Sequence, residues 1–195
     1  MAQRKIQLVR QVFNLYTNFG SANYIGESIS QLQHAAQTAA LAEKEAYPKP
    51  VVLAAFLHDI GHLVKLDDST SQMGEYGVKS HEAIGASFLR LYQFPFLTCD
   101  LINGHVAAKR FKVTVNKNYY DSLSEASKQS LKYQGGEMNK DELVAFIKNP
   151  LYEYNIKMRE WDDQAKETDP IILNKIDSDA AIEKYYNMAC EVIPH

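Results

Sequence analysis

The chain has 195 residues, 46% of them hydrophobic and 23% charged, with a formal charge of −3. This is the size and balance of one ordinary globular unit, so a single domain over residues 1–195 is expected. The charge excludes a general attraction to nucleic acid or to an anionic membrane surface, and no apolar run is long enough to span a bilayer.

The hydrophobic spacing is helical nearly throughout. Ile6, Val9, Phe13 and Tyr16 share one face of a first helix that stops near Gly20. Its start, "MAQRKIQLVRQVF", is charged and amphipathic and lacks the apolar centre of a signal peptide. A second helix, with Ser28 as N-cap, runs through Ile29, Leu32, Ala36 and Ala40 toward Tyr47, where Pro48 and Pro50 break it. Pro50 suits the first turn of a third helix, "VVLAAFLHDI", ended by Gly61. Leu63 to Lys79 reads as a long loop. "HEAIGASFLRLYQF" and "PFLTCDLINGHVAAKR" follow as two helices divided at Pro95, and "KVTV" alternates like a strand but is too short for a sheet. "SLSEASKQSLKYQ", "NKDELVAFIKN" and "EYNIKMREWDDQAKE" are further helices, separated by Gly135-Gly136 and Asn149-Pro150. A last one begins near Asp177. The expected architecture is all-α, a bundle of roughly eight or nine helices. Two cysteines, Cys99 and Cys190, without C-x-x-C spacing give neither a disulfide framework nor a thiolate zinc site and suit a reducing cytoplasm.

One stretch departs from simple amphipathic logic. In "AFLHDIGHL" (55–63), His58, Asp59 and His62 occupy an otherwise apolar run. Buried polar groups are costly unless paired, and one metal ion would satisfy all three. On a continuous helix His58 and His62 would share a face, which is the spacing of H-E-x-x-H zinc proteases. Here, however, the acid beside the first histidine is Asp59. Its short carboxylate is better suited to binding metal than to activating a water, and its two oxygens could bridge two ions.

The order His34, His58-Asp59, His81, His105, Asp162, spread over separate helical segments, resembles the HD-domain superfamily. The resemblance implies that His34, His58, Asp59 and Asp162 hold one metal and that His81 and His105 hold a second, with Asp59 shared. Asp162 is preferred to Asp163 because it follows Trp161 directly, and Asp163 lies about 100° further round a helix. Nitrogen and oxygen donors suit iron, manganese or zinc, and open positions on such a set suit oxygen chemistry at iron.

Six blocks narrow the match: "YIGESISQLQH", "LAAFLHDIGH", "MGEYGVKSHEAIGASFLR", "GHVAAKR", "LSEASKQSLKYQGGEM" and "WDDQAKETD". Together, over about residues 20–170, they resemble the PhnZ group of HD oxygenases. What this implies is a mixed-valence Fe(II)/Fe(III) pair, O2 as co-substrate and cleavage of the carbon–phosphorus bond of a small hydroxyphosphonate. The implied substrate is (R)-2-amino-1-hydroxyethylphosphonate, converted to glycine and phosphate. Tyr24 would ligate iron until substrate arrives, Glu27 would receive the substrate ammonium, and His62, Lys109 and Ser127 would hold the phosphonate. Glu27 favours a primary ammonium over a trimethylated one, because a quaternary ammonium has no N–H to donate and is better served by an aromatic cage. The alternatives are an HD phosphohydrolase using Mn, Mg or Zn, an oxygenase of a trimethylated hydroxyphosphonate, and a degenerate HD domain kept for regulation. Arg110, Lys112 and Lys117 read as a solvated face. Tyr119, Tyr120, Tyr133, Tyr152 and Tyr154 read as packing, "QGG" (134–136) as a structural turn, and His195 as carrying no role. The sequence carries no signal for an oligomeric state.

Overall fold

A computed structural model describes residues 2–24, 26–64, 73, 76–173 and 176–193. Among them the chain forms α1 (Ala2–Phe19), α2 (Gln31–Lys44), α3 (Lys49–Leu57), a 3-10 turn (Ile60–His62), α4 (His81–Leu91), α5 (Phe96–Val115), α6 (Lys117–Ser122), α7 (Glu125–Tyr133), α8 (Lys140–Ile147), α9 (Tyr152–Gln164), α10 (Pro170–Leu173) and α11 (Ser178–Val192). The described residues form no strand; Asn23 and Ser30 make an isolated bridge. The expected all-α architecture is thus present. The short helices α6 and α10 were not anticipated, because one turn or so of chain shows no periodicity. The strand-like "KVTV" is the last turn of α5. A helix already running, with Val113 buried, overrides the β preference of its branched residues. The expected loop from Leu63 to Lys79 falls largely outside the described residues, as does His195. No helix among those described is long and apolar enough to cross a membrane.

One helix start and one buried face differ from expectation. α2 begins two residues later, capped by Ser30 rather than Ser28. Ser30 Oγ accepts the Gln33 N–H at 3.1 Å while Gln33 Oε1 accepts the Ser30 N–H at 2.8 Å, a reciprocal box that Ser28 cannot complete. In α1 the buried face starts at Val9 and continues through Val12, Phe13 and Tyr16, whereas Ile6 is exposed.

The core centres on α3. Every residue from Val51 to Leu57 is buried, enclosed by α2, α5, α9 and α11, so this helix is apolar all round. Trp161 on α9 is fully buried and its indole N–H donates to Glu45 Oε1 at 3.1 Å, which fixes the rotation of α9 beside α2.

α3 also ends earlier than its apolar pattern suggests. The helix stops at Leu57, His58 is its C-cap, and the 3-10 turn follows Asp59. His58 and His62 therefore do not lie on one continuous helix. The cause is a close approach at Gly61, where a Cβ would lie 2.0 Å from the His81 carbonyl oxygen. The turn can lie against the start of α4 only without a side chain there. We expect Gly61→Ala to destabilise the protein by about 1–3 kcal/mol, the usual cost of forced overpacking, and to weaken metal retention by parting Asp59 from His81. Thermal denaturation and metal analysis measure the two effects.

Candidate metal centre

Four helical segments deliver imidazoles to one buried point: His34 from α2, His58 from the end of α3, His81 from the first residue of α4 and His105 from the middle of α5. All four are buried. In each ring Nδ1 contacts a backbone carbonyl: Ala165 at 2.9 Å for His34, Ala55 at 2.9 Å for His58, Val78 at 3.3 Å for His81 and Ile102 at 2.7 Å for His105. A carbonyl only accepts, so Nδ1 carries the proton and Nε2 presents its lone pair. These Nε2 atoms face one another in pairs, His34 to His58 at 3.2 Å and His81 to His105 at 3.0 Å. Lone pair against lone pair is repulsive unless a proton or a metal ion lies between.

Two carboxylates complete the arrangement. Asp59 Oδ2 lies 3.4 Å from His58 Nε2 and 3.9 Å from His34 Nε2. Its Oδ1 lies 3.2 Å from His81 Nε2 and 3.5 Å from His105 Nε2. Asp162 Oδ1 lies 3.3 Å from His34 Nε2 and 3.9 Å from His58 Nε2, and it is buried with no hydrogen-bond partner. An orphaned carboxylate oxygen is costly in a protein interior, and a cation seated between it and the two imidazoles removes that cost. The donors are all imidazole nitrogen and carboxylate oxygen, a set that suits iron. His34, His58 and Asp59 alone already offer three ligand atoms within 4.8 Å of one another.

The ionisation of these groups follows from their crowding. Burial alone would raise the Asp59 carboxyl, but His58, His105 and His81 outweigh it and hold it well below the ordinary carboxylate range. Burial would lower His58, but Asp59 and Asp162 overcome it and raise its pKa to about 9. A proton thus holds the position a metal would take, and metal uptake displaces it.

His62 lies within the same 4.8 Å range of Asp59 and His81, but its ring differs in tautomer. Its Nδ1 accepts the Val78 N–H at 3.0 Å, so Nε2 bears the proton, and the ring stacks on His81 with centroids 4.0 Å apart. His62 is a hydrogen-bond donor rather than a lone-pair donor. Burial, then His81, hold its pKa well below the usual histidine value.

A small cleft of about 50 Å³ opens beside this cluster, lined among others by Tyr24, Glu27, His62, Lys109, Ser127 and Lys166. Tyr24 stacks on His34 with ring centroids 3.9 Å apart, and its phenol meets the Asp59 carboxylate. Lys109 is buried and its ammonium donates to Ser130 Oγ at 3.0 Å. Glu27 Oε1 pairs with the Lys166 ammonium at 3.0 Å. The cleft thus has metal-ligand chemistry on one wall and two lysines and two serines on the other, which is the wall an anion needs.

The HD domain family model matches residues 31–148, the stretch that supplies His34, His58, Asp59, His81 and His105. Over 167 residues the chain is 35% identical to the 1-hydroxy-2-(trimethylamino)ethylphosphonate dioxygenase (glycine-betaine-forming) of Leisingera caerulea, covering 83% of this chain and 82% of that one. It is 37% identical to the hydroxymethylphosphonate dioxygenase of Gimesia maris, covering 81% of this chain and 78% of that one. The chain belongs to the HD-domain phosphonate oxygenases. It is an enzyme, an iron-dependent oxygenase. An uncharacterized protein of Acanthamoeba polyphaga mimivirus is also similar, at 43% identity over 83% of this chain and 74% of its own.

The structure of this HD oxygenase brings all eleven residues singled out in the sequence to the one cluster and its cleft. Asp163 points away from the cluster, as its helical position predicts, and accepts from Tyr119 Oη at 2.7 Å. Three participants were missed. Arg159 is buried, donates to Asp162 Oδ2 at 2.6 Å and to Tyr119 Oη at 2.8 Å, and also pairs with Asp163. Its signal was an arginine one turn before Asp162 in an otherwise inward-facing segment. Ser130 holds the Lys109 ammonium. Lys166, in the quoted "WDDQAKETD", is the partner of Glu27. Two bland readings also need correcting. Arg110 is not simply solvated: its guanidinium makes a two-bond contact with Glu142, at 2.8 and 2.9 Å, and donates to the Gly136 carbonyl at 3.0 Å. That contact ties the "QGG" turn to α5, where Gly135 and Gly136 have φ of 98° and 65°, in the left-handed region that favours glycine. Tyr119 is more than packing, since it bridges Arg159 and Asp163.

Proposed function

We propose that this chain, read as one HD domain, holds two iron ions as an Fe(II)/Fe(III) pair and cleaves the carbon–phosphorus bond of a small α-hydroxyphosphonate with O2. The observation that carries two ions rather than one is the Asp59 carboxylate, whose oxygens face different histidine pairs, His34 and His58 on one side and His81 and His105 on the other. In this reading Asp162 completes the His34–His58 side. The ions supply the redox capacity and the polarisation of substrate oxygens that no side chain of the cleft offers.

The chain's own residues do the rest. Lys109 presents an ammonium, and His62 an Nε2–H, to the phosphonate oxygens, with Ser127 beside them; together they fix which bond of the substrate faces the metal wall. Tyr24, stacked on His34, covers the cluster from the cleft side and must swing away as substrate enters. Glu27 lines the same cleft, and a carboxylate there, once free of its ion pair, would take the ammonium of (R)-2-amino-1-hydroxyethylphosphonate, converted with O2 to glycine and phosphate. A second substrate, hydroxymethylphosphonate, converted to formate and phosphate, is favoured by one observation: Glu27 is already paired with Lys166. The unpaired cysteines, with Cys99 buried, are consistent with a cytoplasmic enzyme.

The test is aerobic incubation of protein carrying two irons per chain with each substrate, following phosphate together with glycine or formate. Absence of product from both sinks the reading, and phosphate release under argon transfers the protein to the metal-dependent phosphohydrolases. The pH profile adds a check. Burial, then the Arg159 guanidinium, lowers the Lys109 ammonium to about 7. The charged form binds the anion, so kcat/KM should fall as pH rises through that value. Lys109→Arg keeps its charge at all these pH values, and its kcat/KM should lack that alkaline limb.

A further inference from the structure

Lys166 lies just past the end of α9, four residues beyond Asp162, and its ammonium is gathered by three residues from two separate segments of the chain. It lies 3.0 Å from Glu27 Oε1, in the turn before α2, and 3.4 Å from both Ser124 Oγ and Ser127 Oγ, at the N-cap and first turn of α7. The Lys166 and Glu27 side chains are only 18% and 17% exposed. The other cations of the cleft are engaged elsewhere, Lys109 with Ser130 and Arg159 with Asp162 and Asp163. Among the described residues, Lys166 is the cation that balances Glu27.

A carboxylate with room for a substrate ammonium thus already holds an ammonium of the chain. Two such groups on one carboxylate oxygen would repel at close range, in a cleft where water screens them poorly. We propose that Lys166 is the substrate-selecting residue of this cleft: it fills the amine subsite at Glu27 from within, so the site favours an α-hydroxyphosphonate with no cationic substituent. An aminated substrate enters only by displacing Lys166 from one carboxylate and two hydroxyls. A trimethylated one is worse placed, since it has no N–H with which to replace those hydrogen bonds. The inference rests on the reading of the cleft as an α-hydroxyphosphonate site.

The test compares two ligands that differ only in the ammonium, (R)-1-hydroxyethylphosphonate and (R)-2-amino-1-hydroxyethylphosphonate. Their binding to the iron-loaded protein is measured by calorimetry under argon, so that no turnover contributes. Wild type should bind the uncharged ligand at least as tightly as the aminated one. Lys166→Met, which keeps the length and removes the charge, should swing the ratio of dissociation constants toward the amine by about tenfold or more. Lys166→Arg should keep the wild-type preference, and Glu27→Gln added to Lys166→Met should cancel the swing while both irons stay bound. A ratio in Lys166→Met within about twofold of wild type, with both ligands binding, overturns the role of Lys166 and leaves the functional reading standing. So does a wild type that already prefers the amine by more than about tenfold. Failure of both ligands to bind protein with two irons overturns the reading of the cleft, and this inference with it.

Discussion

Asp59→Ala should leave the protein with at most one firmly held metal ion per chain and no measurable carbon–phosphorus cleavage. Asp59 is the one side chain whose two oxygens face both histidine pairs, at 3.2–3.9 Å from the four Nε2 atoms. Removing it takes a ligand and a negative charge from both sides at once. In the proposed two-iron site, the neighbouring cations would then repel each other with no shared anion between them. Loss of an outer hydrogen-bonding partner of a metal ligand costs about 10–100-fold in affinity or activity; loss of a shared ligand should exceed that. Asp59→Asn tests the charge separately, since it keeps one oxygen and nearly the same shape. His58→Ala should also abolish activity, but its metal loss should concentrate on the side formed with His34 and Asp162. Metal content per chain and O2-dependent phosphate release are the measurements. Full activity with two irons in Asp59→Ala would falsify the shared-ligand reading.

Arg159→Met should be the most destabilising substitution at the site, and the loss should be larger in the metal-free protein. Arg159 is buried, and its guanidinium meets Asp162, Asp163 and Tyr119. Removing one member of such a buried set leaves uncompensated carboxylates, which typically costs about 3–5 kcal/mol. For a chain of this length that is a fall on the order of 10 °C in melting temperature. The position of Asp162 explains the dependence on metal. Its Oδ2 is held by Arg159 while its Oδ1 faces His34 and His58, so a bound cation offers the carboxylate a second counter-charge. Iron should therefore recover part of the lost stability in Arg159→Met. Thermal denaturation of metal-free and iron-loaded protein decides it: a fall under about 2 °C in the metal-free variant, less than 1 kcal/mol by the same scaling, would show that the guanidinium carries no such burden.

The same two residues mark the limit of what could be read from the chain. Asp59 stood out because polar groups inside "AFLHDIGHL" violate the pattern of a buried helix, and a violated pattern is visible locally. Arg159 did not stand out, because an arginine in "IKMREWDD" is ordinary on a helix surface, and only the inward rotation of α9, fixed by buried Trp161, puts it inside. Gly61 was read as a helix stop. The structure gives it a different reason, contact with the His81 carbonyl across the chain, and the helix ends at Leu57, three residues short of Ile60.

The sequence by itself determined the longer helical segments, the inventory of imidazoles and carboxylates, and the blocks that place the chain among HD oxygenases. Helix periodicity and capping depend on neighbours three or four residues apart, so they are written in short stretches. Only the tertiary structure decided which nitrogen of each histidine faces the cluster, which oxygen of Asp59 serves which pair, and that Lys166 occupies Glu27. Those facts depend on residues 131 and 139 positions apart, His34 with Ala165 and Glu27 with Lys166. Contacts of that range are set by how α2, α7 and α9 pack, which no local pattern encodes.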